Sequence, residues 1–73
     1  MSSPEGAAGQ PVLEEASREL EAAAHDARVA FDCIALGELD RAHTSAVEAR
    51  AAIDAAVTAL QAALGMTSGA TGR

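Results

Sequence analysis

The chain has 73 residues, 20 of them alanine, with no Trp, Tyr, Lys or Asn, and eleven acids against five arginines set its net charge at -6. This length allows one small domain at most; the shortage of β-branched and aromatic residues excludes a β-sandwich or barrel, and a single cysteine excludes a disulfide framework. Arginines at 18, 28, 41 and 50 stand singly, a poor match to the clustered cations that phosphate binding needs, and no apolar run approaches the ~20 residues of a bilayer span.

Residues 1–10 carry Ser, Pro and Gly without apolar periodicity, which predicts a disordered N-terminal tail. From Pro11 to Leu36 the pattern becomes helical. Pro11 suits a first helical turn, and Glu14, Glu15 and Glu19 complement the positive end of the helix dipole. Leu13, Leu20, Ala27 and Ile34 recur every seven residues, with Ala16, Ala23 and Ala30 three positions on. The two columns together form one core-facing stripe.

The junction 37–39 predicts a turn. Gly37 can end helix 1 with positive φ, and Asp40 can cap helix 2. Ser45, with Glu48 three residues later, is the alternative cap. The segment ALGELDRA over 35–42 resembles the link between the two helices of a tetratricopeptide repeat. The likeness spans about 25 residues and implies a tight helical reversal only, because the ~34-residue repeat itself is missing.

Helix 2 is expected over about 40–64. Its columns are Leu39, Ala46, Ile53 and Leu60, then Ala42, Ala49, Ala56 and Ala63, with His43, Arg50, Val57 and Leu64 beside them. Gly65 is a natural helix stop, and 65–73 reads as a second disordered tail. The fold predicted is all-α: an antiparallel hairpin over 11–64. Its seam is built from Ala16, Ala23 and Ala30 against Ala42, Ala49, Ala56 and Ala63, since small residues allow helix axes to approach closely.

Alanine buries little area, and chains this short seldom stabilise themselves from one core. A second apolar line runs through Ala22, Val29, Cys33 and Leu36 on helix 1 and Val47, Ala51 and Ala55 on helix 2. That line predicts an interface and a twofold homodimer forming a four-helix bundle.

Chemistry-bearing residues are few. His25 stands four residues after Glu21, and His43 three after Asp40; each reads better as a helix-surface polar group than as a ligand. Cys33, near a helix C-terminus and next to Asp32, reads as a small buried hydrophobe. Nothing resembles a nucleophile with its base, so no enzyme activity and no cofactor are expected.

The functional expectation is a non-enzymatic protein–protein interaction module: an adaptor, accessory subunit or small regulator, dimeric, with a protein partner and no nucleic acid or membrane. The first residues lack signal-peptide features, so a bacterial cytoplasm is the expected location. The alternatives are an acidic decoy for a basic groove and a metal- or redox-linked bundle using His25, His43 or Cys33.

Overall fold

A computed structural model describes the backbone of residues 4–71 and the side chains of residues 10–66. It contains two α-helices, α1 (Pro4–Ala35) and α2 (Leu39–Thr71), packed against each other along their length. Alanine dominates both, and it loses no side-chain entropy on entering a helix. At 1.5 Å per residue each helix is close to 50 Å long, which matches the longest extent of the molecule, 51 × 28 × 12 Å. The radius of gyration is 16.4 Å, against about 11 Å for a compact chain of this length. The molecule is a plank, one helix thick.

The turn follows from three residues. Gly37 adopts φ of +77°, the only positive φ among the described residues. The Glu38 N–H donates to the Cys33 carbonyl at 2.8 Å and the Gly37 N–H to the Ile34 carbonyl at 3.0 Å. These two bonds form a Schellman motif, which satisfies carbonyls that the helix end would otherwise leave open. The Ala42 N–H then donates to the Glu38 carbonyl at 2.9 Å. Glu38 is therefore the residue that opens α2, and its carboxylate accepts from the Arg41 guanidinium at 2.9 Å.

Four boundary readings are corrected. Asp40 does not cap α2; it lies within the first turn, where its charge still complements the dipole. Ser45 lies well inside the helix. Neither outer boundary falls where local signals put it: α1 begins at Pro4 and runs through Pro11, and α2 runs through Gly65 to Thr71. Gly37 stops its helix because the chain must reverse there to pack α2 against α1. At Gly65 no reversal follows, and glycine alone weakens a helix without ending it. The tail readings for 1–3 and 72–73 lie outside the described residues.

The seam has two columns per helix. On α1 they are Ala16, Ala23 and Ala30, all buried, and Val12, Glu19, Asp26 and Cys33, of which Cys33 is buried and the others half-buried. On α2 they are Ala42, Ala49, Ala56 and Ala63, and Ser45, Ala52 and Ala59; Ala42, Ala52 and Ala56 are buried, the rest half-buried. No side chain larger than cysteine is fully enclosed among the described residues.

Two glycines make opposite predictions. A Cβ at either Gly37 or Gly65 meets nothing within 4 Å, so backbone conformation alone decides. Gly37→Ala is expected to destabilise by about 1 kcal/mol, the left-handed penalty for an L-residue. Gly65→Ala is expected to stabilise by up to about 1 kcal/mol. Paired thermal melts by circular dichroism check both signs. In the seam, Ala23→Leu is expected to cost about 1–3 kcal/mol by overpacking, whereas Ala22→Leu, on an exposed position, stays within about 0.5 kcal/mol.

Candidate functional site

The alanine seam forces the larger side chains outward. On each helix the column four residues after the seam alanines holds the leucines and isoleucines: Leu13, Leu20, Ala27 and Ile34 on α1, and Leu39, Ala46, Ile53 and Leu60 on α2. The sequence reading takes the first of these as core-facing. In the hairpin it is not enclosed: Leu20 is 44% exposed and Ile34 61%. Two helices packed alone enclose only the columns between their axes, and a column farther round the cylinder laps the seam from outside.

Both leucine columns emerge on the same broad side. In an antiparallel helix pair a half-turn perpendicular to the layer exchanges the helices and maps equivalent columns onto one another. The column that follows the seam alanines by four residues therefore rises on one side for α1 and for α2 alike. Farther out on that side stand Phe31, Val57 and Leu64, with Ser17, Ala24, His43 and Arg50 completing the outer columns. Of the large apolar side chains that stay exposed, only Leu36, Val47 and Met66 lie elsewhere. Phe31 is 64% exposed, with the Arg28 guanidinium 5.4 Å from its ring centroid, a cation–π arrangement at the rim of the face.

The face has a graded relief. Residues equidistant from the Gly37–Glu38 peptide stand at the same height along the hairpin. Ile34 and Leu39 form the rung next to the turn, Ala27 and Ala46 the second, Leu20 and Ile53 the third, and Leu13 and Leu60 the fourth. Members of a rung differ in height by about 3 Å at 1.5 Å per residue. From the turn outward the relief is large, small, large, large.

Of the seven residues expected at the interface, four share one broad side of the hairpin and Cys33 is withdrawn into the seam. Cys33 is only 3% exposed and lies between the helices, so it faces no outside partner. Its column continues the seam, which a reading by apolar lines alone could not separate from its neighbour. Ala22, Val29, Leu36 and Ala55 lie on the broad side opposite the leucines, with Val29 half-buried and the others exposed. Val47 sits at the outer edge of α2, and Ala51 between that edge and the opposite side. Glu15, Arg41 and Glu48 interrupt the same side with charge.

His25, His43 and Cys33 stand on three different columns, and among the described residues no three of His, Cys, Asp and Glu gather as a ligand set. Shallow dents of about 210 Å³ at Asp40, Arg41, Thr44 and Ser45 and about 360 Å³ at Gln10, Leu13, Glu14, Ser17 and Arg18 lie open on the helix surfaces. No helix among the described residues is long and apolar enough to cross a membrane.

On the opposite side, the Arg18 guanidinium donates to Glu15 Oε1 at 2.5 Å. That bond, with a second from Glu19, holds the Glu15 carboxyl below the usual carboxylate range. Glu19 is pushed up, chiefly because it shares a proton with Glu15 one helical turn away. Glu15, lowered in the folded state, adds stability above its unfolded pKa and loses it as pH falls through the folded one; Glu19, raised, does the reverse. On acidification through the carboxylate range Glu19 is expected to take its proton before Glu15. Carboxyl-carbon NMR titration checks the order, and Arg18→Ala is expected to raise Glu15 toward Glu19.

Comparison with known proteins finds no family model, no curated protein and no solved structure that matches this chain.

Proposed function

We propose that this protein is a non-enzymatic protein–protein interaction module whose working surface is the leucine- and isoleucine-lined broad face. The observation that carries the reading is the segregation of large apolar side chains. Nine of them share one side of a plank only 12 Å thick, while the buried positions inside are six alanines and Cys33. Apolar area left in water is unfavourable by roughly 25 cal/mol per Å², and contiguous exposed apolar patches on small proteins mark interaction surfaces. Charge is kept off the leucine and isoleucine columns of this face, with His43 and Arg50 at its border, Glu19 and Asp26 in the seam, and the other acids on the edges and the opposite side. That is the usual arrangement of an interface core within a polar rim. The role that follows is an adaptor, accessory subunit or small regulator that works by docking.

The reading is tested by placing a photo-crosslinking amino acid at Leu20, Ile53 or Leu60, and at Glu48 on the opposite side, in cells producing the full chain. Discrete adducts from the three face positions, with none from Glu48, are expected. No adduct from any face position would overturn the proposal, whichever partner is supposed.

A further inference from the structure

We infer that the occupant of the leucine face is a second copy of this chain, laid face to face with its turn at the opposite end. The inference rests on the interaction reading above and adds to it the partner and the register. Area is the first argument. One copy exposes 5256 Å², against about 4,200 Å² for a self-contained folded protein of this mass. Two separate copies expose about 10,500 Å², and a globule of the doubled mass about 6,900 Å². The difference, about 3,600 Å², falls inside the 2,000–5,000 Å² that obligate homodimers bury. The face is two helices wide and its four rungs span about 32 Å at 1.5 Å per residue, so an identical plank offset to this register covers all four.

Relief supplies the second argument. With the copies antiparallel and centred near Ala24, the small Ala27–Ala46 rung of each meets the large Leu20–Ile53 rung of the other. The turn rung then meets the Leu13–Leu60 rung. Large against small is the condition for interdigitated packing at interior density. Placing both turns at one end sets the alanine rung against itself, whereas the opposed arrangement gives each alanine rung a large partner and leaves large against large only at the two ends.

Charge agrees. In the opposed arrangement Glu21 on the outer edge of α1 stands at the height of Arg28 of the second copy, and the twofold axis repeats the pair. Asp54 on the outer edge of α2 comes within an arginine's reach of Arg50 of the second copy, which offsets the approach of the two Arg50 side chains to each other at the twofold axis. With both turns at one end, Glu21 instead stands level with Asp54 of the second copy, and like charges meet.

The test uses the purified full chain with Cys33→Ala and a spin label at Glu38→Cys, beside sedimentation equilibrium of the unlabelled protein. A dimer with a label separation of about 40 Å is expected, from the number of residues between the two turns at 1.5 Å each. A dimer with labels closer than about 20 Å would overturn the register. A folded helical monomer at 100 µM would overturn the second copy while leaving the interaction reading to its crosslinking test. Leu20→Glu is expected to weaken self-association at least ~100-fold, because each copy then buries an unpaired carboxylate. Ala22→Glu, on the other side, is expected to change it less than ~3-fold, and equal effects of the two would also overturn the inference.

Discussion

The structure depends on the width of its seam. Alanine against alanine lets two helix axes approach closely, and among the described residues nothing larger than Cys33 is buried between them. The consequence is geometric. Every leucine and isoleucine is displaced round the cylinder to where one hairpin cannot enclose it. A hairpin with leucine in its seam would hide its best apolar groups and have little left to offer a partner. Here the buried inner contact uses small side chains, and nine of the twelve exposed large apolar ones gather on a single side.

That division connects the fold to the proposed function. Methyl-sized contacts stabilise modestly at roughly 25 cal/mol per Å², and a chain of this size has few other resources. Half-buried Glu19 and Asp26 in the seam column of α1 reinforce the point, since part of the inner surface is polar. The turn works in the same direction. The Schellman bonds at Gly37 and the opening of α2 at Glu38 make a short reversal that sets the helices antiparallel. An antiparallel pair is what places both leucine columns on one side; a parallel pair would bring opposite flanking columns to the same side.

The places where sequence reasoning and structure part have a common cause. Gly37 and Gly65 are the same residue after similar helical stretches, yet one ends a helix and the other is passed through. Cys33 and Val29 belong to one apolar line when written as a string, yet one lies between the helices and the other on an outer side. Leu20 and Ala23 form one stripe on a helical wheel, but only Ala23 is enclosed. In each case periodicity locates an apolar arc without saying which part of the arc the neighbouring helix takes.

Local chemistry was sufficient to determine that the chain is helical, that it reverses at Gly37, and that seven-residue alanine columns run along both halves. Those features depend on propensity, on a backbone angle and on spacing, all of which reside in neighbouring residues. Only the tertiary structure decided which columns became the seam, and so which apolar residues were left to face outward. That choice depends on how closely two helix axes can approach, a property of both surfaces together that neither helix carries alone.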